Sequence, residues 1–344
     1  NLDGFIDEHG NSEVENARTF EDRQREKKRN ANDPKALDQY IAEHPFSPQE
    51  ATLQVTANLF DANSLKEQYN KVKAHGLEVE GTAGVMYYDK NQRVAFKPSA
   101  DARPVYKFPH RKGDKITGSV VLYEAPHKTK DGEVPHNLYI VCHDPYAQSG
   151  QGVHESLGAA YVIKRHNNLS KPDDIIVASY VGRPQTQDEY NRNLFMLAEY
   201  YNAKIGFEND RGELIAYAKR YRKLHKLQEE FEMLDKRELR SRTTKRQFGM
   251  HMTQQRKKQG ELYIRDWLIS PRGTNEEGVV TLNLHKIYDP ALLQELIKFN
   301  HKGNFDRVMA LMVGMYHTRE LYNREVVEIL DDRSQDDWFN TNYR

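Results

Sequence analysis

Two carboxylates in this sequence directly follow short apolar segments, where strand ends are expected. Asp144 comes after the run Leu138–His143, and Glu208 comes after Ala203–Phe207. Side chains at the ends of neighbouring strands in an open α/β sheet meet at one edge, where ligands bind. Two acids placed side by side repel each other unless a cation lies between them. The pattern therefore predicts a cation-dependent site at this edge.

A third acid, Asp306, begins the last apolar helix of the chain, in which apolar residues recur at helical spacing. Carboxylates from two strand ends and one helix start supply the hard oxygen ligands that two Mg²⁺ or Mn²⁺ ions need for phosphodiester cleavage. However, acids after strands are also common turn residues, and an aspartate at a helix start is commonly an N-cap. Spacing alone leaves the metal-binding and the structural interpretation of Asp144, Glu208 and Asp306 open.

The residues just before the first acid have simpler interpretations. His143 is either an auxiliary group of the site or a structural side chain. Cys142 is the single cysteine of the chain, which excludes a disulfide framework and a cysteine-based zinc site. No G-x-x-x-x-G-K-[ST] segment occurs in the sequence, so ATP binding through a P-loop is also excluded.

The segments around the acids predict a mixed sheet. Strands are expected at Leu138–His143, Ala159–Arg165 and Ile175–Val181, joined closely enough to form an antiparallel meander. A helix that begins at the capping box Thr186-x-x-Glu189 then crosses over to Ala203–Phe207, which should run parallel to its neighbour. This order predicts an α/β fold of the RNase H-like (RuvC/integrase) type, with about five or more strands, the first three antiparallel, flanked by helices.

The flanking segments predict the remaining elements. Before the sheet, a helix over Ala62–His75 leads into a β-rich segment with a hairpin at Lys90-Asn91-Gln92 and an edge strand in Gly118–Pro126. After the sheet, a long polar helix is expected over Glu213–Arg240, and Asp289-Pro290 should begin another helix as N-cap and first residue. The predicted domains are a charged linker or remnant at 1–50, the main domain at 51–330 and a polar tail at 331–344.

Composition and charge limit the partners. Of the 344 residues, 38% are hydrophobic and 30% are charged, and the formal net charge is zero. Because no overall field attracts nucleic acid, a DNA-binding surface has to be local. The sequence contains no signal peptide and no apolar run near ~18 residues, so a cytoplasmic location is expected.

One segment carries a local excess of positive charge. The span Lys219–Lys258 holds fourteen lysines and arginines against five acids. Such a run is commonly a solvated helix face, but beside the acids it would serve as a phosphate-contacting surface. The candidate DNA-binding residues are Lys245, Arg246, Arg256, Lys257 and Lys258.

With these residues in view, the sequence resembles the C-terminal nuclease half of the large terminase subunit of tailed bacteriophages. The three acids lie in HDPYAQSG, EYYNAKIGFENDRG and NFDRVMALMVGMY, in the family's order. The passages AEHPFSPQEA, TTKRQFGMHMTQQRKKQG and YDPALLQELIKF are also similar to segments of the family, and the resemblance covers residues 42–322. It departs at the third acid, where many relatives carry two adjacent acids and this chain has Asn304-Phe305-Asp306.

The resemblance implies an RNase H-like endonuclease that cleaves concatemeric double-stranded phage DNA during genome packaging. It implies that Asp144, Glu208 and Asp306 hold two Mg²⁺ or Mn²⁺ ions. Expected partners are double-stranded DNA, the portal protein, the small terminase subunit and an ATPase motor domain that this sequence does not contain. The expected location is the cytoplasm of the bacterial host.

Two other functions fit the same residues. One is a nuclease of the Holliday-junction resolvase or transposase type, which would prefer branched DNA to linear duplex. The other is a non-catalytic DNA-binding module for packaging or assembly, which would bind DNA in a salt-dependent manner without cutting it.

Overall fold

The computed structural model of the protein describes residues 5, 13–29, 36–47, 58–75, 81–111, 113–146, 156–165, 174–209, 212–231, 248–274, 278, 280–300 and 303–322. The chain divides into two compact units. The first unit comprises Asn1–Asp61 with Asn300–Lys302, and the second comprises Ala62–Phe299 with Gly303–Arg344. The domain boundaries predicted at residues 50 and 330 stay predictions.

The described residues of the first unit form two helices, α1 (Val14–Arg29) and α2 (Ala36–Glu43). The Tyr40 hydroxyl of α2 donates a hydrogen bond of 2.7 Å to the carboxylate of Glu21, the buried residue of α1. The guanidinium of Arg25 lies 3.6 Å from the centre of the Phe46 ring. Most other described side chains of α1 are exposed, as expected for a charged helix without an apolar stripe.

The second unit contains the sheet and the helices that flank it. Its described strands are β1 (Thr82–Tyr88), β2 (Val94–Pro98), β3 (Ser119–Leu122), β4 (Tyr139–Asp144), β5 (Gly158–Lys164), β6 (Ile175–Gly182), β7 (Lys204–Phe207), β8 (Pro271–Thr274) and β9 (Val280–Leu282). Its described helices are α3 (Ala62–His75), α4 (Gln187–Tyr200), α5 (Glu213–Arg220), α6 (Gln254–Leu268), α7 (Pro290–Lys298) and α8 (residues 306–322), with 3-10 turns at Leu224–Lys226 and Asn283–Lys286.

Seven strands form one mixed sheet in the order β2-β1-β3-β6-β5-β4-β7. The strands β4, β5 and β6 form the predicted antiparallel meander. The helix α4 begins at Thr186, whose side chain accepts a hydrogen bond from the Glu189 backbone, and crosses over to β7, which pairs with β4 in parallel. This α/β arrangement with flanking helices is the RNase H-like fold predicted from the sequence. The β8–β9 pair forms a separate two-stranded sheet.

The free edge of β7 is covered by short bridges. Leu227 pairs in parallel with Ile205, and Met250 pairs in parallel with Glu208. The backbone N–H of Met250 donates to the carbonyl of Phe207 at 2.9 Å. Two separate parts of the chain therefore protect this edge of the sheet.

The two faces of the central strands bury different partners. On β4, the alternate residues Tyr139 and Val141 belong to the apolar core that α4 completes with Leu194 and Leu197. The opposite face carries Cys142, which lies against Gly314 of α8. Because successive side chains of a strand point to opposite faces, α4 and α8 cover opposite sides of the sheet.

Two predicted elements differ from the structure. The segment around β3 was expected as an edge strand, but β3 lies between β1 and β6. The polar helix expected over Glu213–Arg240 was wrong beyond Arg220, because Arg222 adopts a left-handed backbone with φ of 56° and Leu227 joins the edge of β7. Residues 232–240 of that expectation lie outside the described residues. No described helix is long and apolar enough to cross a membrane.

Candidate functional site

Asp144 and Glu208 lie side by side at the ends of two neighbouring parallel strands. The β4–β7 register pairs His143 with Phe207, so the next residue of each strand is one of the two acids. The Glu208 N–H donates to the His143 carbonyl at 3.4 Å, which continues the ladder to this point. The structure therefore brings together the two acids that the sequence placed at strand ends.

Both acids project from the face of the sheet that α8 covers. Cys142 and Gly206 lie two residues before Asp144 and Glu208, and therefore on the same face as each acid. A Cβ atom on Gly206 would lie 2.8 Å from Nδ1 of His317 in α8. This close approach places α8 directly over the strands that carry the two acids.

Asp306 is the first residue of α8 and is buried. Its carboxylate accepts hydrogen bonds of 2.8 Å from the Ser156 hydroxyl and of 2.8 Å from the Leu157 backbone N–H, both just before β5. The Asn304 side chain donates to the same carboxylate at 3.3 Å. The third acid is thus held against the strand that neighbours β4.

The three acids influence each other electrostatically. Burial raises the pKa of Asp144 well above its usual range, and the carboxylates of Asp306 and Glu208 raise it further. Burial also raises the pKa of Asp306, although the hydrogen bonds from Leu157 and Ser156 lower it. A carboxyl group whose charged form is disfavoured by burial and by neighbouring negative charges is typical of a functional site, because such a group makes no favourable contribution to folding.

The donor set suits a hard divalent cation. Carboxylate oxygens are the ligands that Mg²⁺ and Mn²⁺ prefer. Within the residues that the structure describes, no three His, Cys, Asp or Glu side chains are placed as a ready-made ligand set. The chemistry of the donors therefore fits such an ion.

The residue after Asp306 points away from the site into a buried network. The guanidinium of Arg307 donates to the Glu295 carboxylate at 2.9 Å and to the Val105 carbonyl at 2.6 Å. Glu295 also accepts from the backbone N–H of Arg307 at 2.9 Å and of Val308 at 3.2 Å. A side chain of α7 therefore caps the first turn of α8, the turn that carries Asp306.

His143 lies on the other side of the sheet from Asp144. Its ring is buried, stacks on Tyr190 with centroids 5.3 Å apart and lies with Nδ1 3.1 Å from the Ala159 carbonyl. Burial lowers its pKa to about 4, so the ring is neutral at physiological pH. This placement fits a structural side chain and not the auxiliary role that the sequence left open.

The basic candidates separate into three groups. Lys245 and Arg246 lie outside the described residues. Arg256 is buried in α6, and its guanidinium donates to the His251 carbonyl at 2.6 Å, so it is not presented to a phosphate. Lys257 is partly buried and close enough to Asp144 to lower the pKa of that carboxyl, whereas the neighbouring Lys258 is exposed.

Ser156, Asn304 and Glu295 were not among the candidate site residues predicted from the sequence. Ser156 and Asp306 are 150 positions apart, so no local spacing connects them. Asn304 stands two residues before the acid, and a polar residue just before a helix start was the only signal available there. In the sequence, Glu295 is one polar residue in the helix that begins at Asp289-Pro290, and no local pattern marks it as a partner of α8.

The strand order and the position of the acids describe an RNase H-like α/β protein with an acidic site at the carboxyl ends of β4 and β7. Among solved structures, the large terminase nuclease from thermophilic phage G20c with bound zinc is similar at a TM-score of 0.33 and 12% identity, covering 58% of this chain and 89% of that chain. The magnesium-bound structure of the same nuclease is similar at a TM-score of 0.31 and 11% identity, covering 58% and 87%.

These two structures are of a large terminase nuclease, the family that the sequence resembles. No protein-family model and no curated protein matches the sequence. The fold assignment rests on the strand order of this chain, and the site rests on its own residues.

Proposed function

We propose that this chain is a divalent-metal-dependent DNA endonuclease that cleaves double-stranded phage DNA during genome packaging. The observation that supports it is the convergence of three acids from separate parts of the chain. Asp144 and Glu208 come from adjacent strand ends on one face of the sheet, and Asp306 comes from the start of the helix that covers this face.

The three acids would hold two Mg²⁺ or Mn²⁺ ions. Ions bound there supply the chemistry of phosphodiester hydrolysis, by acidifying the attacking water and stabilising the leaving oxygen. The zinc and the magnesium bound in the phage G20c structures belong to that nuclease. For this chain, the support is the accumulation of carboxylates, since burial raises the pKa values of Asp144 and Asp306 and the neighbouring carboxylates raise that of Asp144 further.

Each residue has a proposed role. Asp144 and Glu208 present their carboxylates from rigid strands, so small changes in neighbouring loops leave their spacing unchanged. Asp306 is oriented by Ser156, Leu157 and Asn304.

Lys257 contributes positive charge on the Asp144 side and would contact the DNA phosphate. Lys258, Lys245 and Arg246 remain candidates for phosphate contacts further from the acids.

The first test is cleavage of supercoiled plasmid with Mg²⁺ or Mn²⁺ by the parent, Asp144→Asn and the control Asp131→Asn. Asp131 is an exposed acid in a turn, so its replacement changes the charge equally without touching the site. We expect the parent and Asp131→Asn to nick and linearise the plasmid, and Asp144→Asn to lose at least ~100-fold in rate, because removing a metal ligand removes several kcal/mol of stabilisation.

Other outcomes contradict the proposal in distinct ways. Full cleavage in excess chelator would exclude the metal mechanism, and equal cleavage by Asp144→Asn would exclude this site. A strong preference for a four-way junction over linear duplex would favour a resolvase-type function. DNA binding without cleavage by the parent would favour the non-catalytic module.

A further inference from the structure

A cleft of about 770 Å³ lies in the second unit, between α3, the segment 106–114 and the start of α7. It is separate from the three acids, none of which lines it. Its walls combine three aromatic rings, three basic side chains and one acid. The rings belong to Tyr69, Tyr106 and Phe108, and two of the basic side chains belong to Lys73 and Arg111. The amide of Gln294 also lines the cleft.

One side chain of α7 contacts two of the aromatic residues of the cleft. The Gln294 amide donates to the Tyr69 hydroxyl at 2.9 Å, and its oxygen accepts from the Phe108 backbone N–H at 3.3 Å. Gln294 thereby connects two walls that come from distant parts of the sequence. Because the Tyr69 ring is fixed through its hydroxyl, it loses little conformational freedom when a flat ligand stacks on it.

The charge of the cleft favours an anion. Lys73, Lys107 and Arg111 line it together with one acid, Asp114. Asp114 lies 3.3 Å from the Lys107 ammonium and accepts the Arg111 backbone N–H at 2.8 Å. The side chains of Lys73 and Arg111 are exposed, so the cleft presents two positive charges beyond the Lys107–Asp114 pair.

Rings for stacking beside cations for phosphates are the two components of a surface that binds unpaired nucleic acid. A cleft of this volume is in the range that holds a small ligand and is too small to enclose a DNA duplex. The cleft also contacts the start of α8, because the Phe108 ring lies 5.5 Å from the ring of Phe305, the residue before Asp306.

We propose that this cleft binds a short unpaired segment of DNA, with bases stacked on Tyr69 and Phe108 and phosphates beside Lys73 and Arg111. The inference rests on the proposed function, since it assigns a second DNA contact to the same nuclease. A strand separated or cut at the acids would have a holding site a short distance away, next to the start of α8.

The test measures binding of a fluorescein-labelled 12-nucleotide oligothymidylate to the whole chain by fluorescence anisotropy, in chelator so that no cleavage occurs. We expect the Lys73→Ala/Arg111→Ala double variant to weaken binding about tenfold and to reduce the slope of log K against log salt by about 1.4, since each single-strand phosphate contact contributes ~0.7. The control is Lys115→Ala/Lys130→Ala, which removes two exposed lysines that do not line the cleft.

A second comparison isolates stacking. Tyr69→Leu should weaken binding of oligothymidylate at least ~5-fold, because stacking on one ring contributes that much per base. The same variant should leave binding of an abasic 12-mer of equal charge unchanged. Equal affinity of the parent for both oligonucleotides, or equal effects of the cleft and control variants, would overturn the proposal.

Cleavage of plasmid by the same proteins separates the two proposals. If the parent cuts plasmid but the cleft variants bind oligothymidylate like the parent, the cleft assignment is wrong and the nuclease stands. If the parent does not cut but the cleft variants lose oligothymidylate binding, the cleft assignment stands and the nuclease is wrong. The substituted basic side chains are exposed, so these variants are expected to fold.

Discussion

The carboxyl group of Glu295 accepts hydrogen bonds from both the backbone N–H and the guanidinium of Arg307, at 2.9 Å in each case. Glu295 belongs to α7 and Arg307 to the first turn of α8, so the pair joins two helices at the point where Asp306 begins the second. Asp289, the N-cap of α7, lies 3.4 Å from the Arg307 Nε and accepts the Tyr161 hydroxyl of β5 at 2.7 Å. The buried guanidinium of Arg307, in α8, therefore contacts two acids of α7, and one of these acids, Asp289, also contacts the sheet.

The first prediction concerns this pair. Glu295→Gln keeps the shape of the side chain but replaces one of its two acceptor oxygens with an NH2 donor, so either the Arg307 guanidinium or the backbone N–H groups of Arg307 and Val308 lose their acceptor. We expect the free energy of unfolding to fall by about 1–3 kcal/mol, as when one partner of a buried hydrogen bond is lost. Urea unfolding measures the change, and Glu133→Gln, at an exposed position, should lie within about 0.5 kcal/mol of the parent.

The pH dependence of this variant gives its own check. Burial raises the pKa of Glu295 to about 8 from an ordinary value of 4.5, even though Arg307 lowers it. Folding therefore takes up a proton, and the stabilisation is complete below 4.5 and is lost as the pH rises through 8. The parent should lose more stability than Glu295→Gln between pH 5 and 8, and parallel pH profiles would contradict this assignment.

The second prediction concerns the contact between α8 and the sheet. A Cβ atom on Gly314 would lie 2.8 Å from the Cys142 Sγ and 2.8 Å from Ile163 Cδ1. Although alanine is favoured over glycine in a helix by about 1 kcal/mol, overpacking of this interface costs about 1–3 kcal/mol. We expect Gly314→Ala to lower the free energy of unfolding and to slow cleavage, because α8 carries Asp306.

A double variant tests the cause of that loss. Cys142→Ala removes the sulfur that the new methyl group would meet, so Cys142→Ala combined with Gly314→Ala should lose less stability than the sum of the two single variants. Additive losses, or a Gly314→Ala variant more stable than the parent, would show that the helix moves away from β4 without cost.

The order of β4, β5, β6, α4 and β7 could be predicted because each element carries a local signal. Apolar runs defined the strands, and the capping box at Thr186 defined the crossover helix. The positions of Asp144 and Glu208 then followed from a general property of strand ends in parallel pairs. The left-handed backbone at Arg222 carries no comparable local signal, so the helix after Glu213 was predicted too long.

The partners of the site residues could not be predicted in the same manner. Whether Arg256 faces solvent or a carbonyl depends on how α6 packs, and the sequence shows only a basic residue among others. The hydrogen bonds that Asp306 accepts from Ser156 and Leu157 join positions 150 and 149 apart. Periodicity reports which face of an element is apolar, but not which polar atoms meet after folding.

The third prediction is a gain of stability with a loss of function. The pKa of Asp144 is raised by burial and by Asp306 and Glu208, so its charge destabilises the metal-free fold near neutral pH. We expect Asp144→Asn to raise the melting temperature of the metal-free protein by roughly 2–4 °C at pH 7. Differential scanning fluorimetry in chelator measures it.

The sign of this effect depends on pH and on metal. The gain should shrink as the pH falls toward the ordinary aspartate value of 3.8, because the unfolded chain then also binds the proton. Added Mn²⁺ should stabilise the parent and not Asp144→Asn, since only the parent keeps all three acids. A lower melting temperature for the variant in chelator would show that Asp144 has a structural role.

The last prediction uses two adjacent lysines as a matched pair. Lys257 lies close enough to Asp144 to lower its pKa, whereas Lys258 is exposed and points about 100° away around α6. Lys257→Ala should reduce kcat/KM for plasmid cleavage at least ~10-fold, because it removes the positive charge beside the acids, and should weaken Mn²⁺ binding at neutral pH by leaving Asp144 more protonated. Lys258→Ala changes the net charge equally and should stay within about 2-fold of the parent, so equal losses from both variants would mean that the lysines act only through the overall charge of the helix.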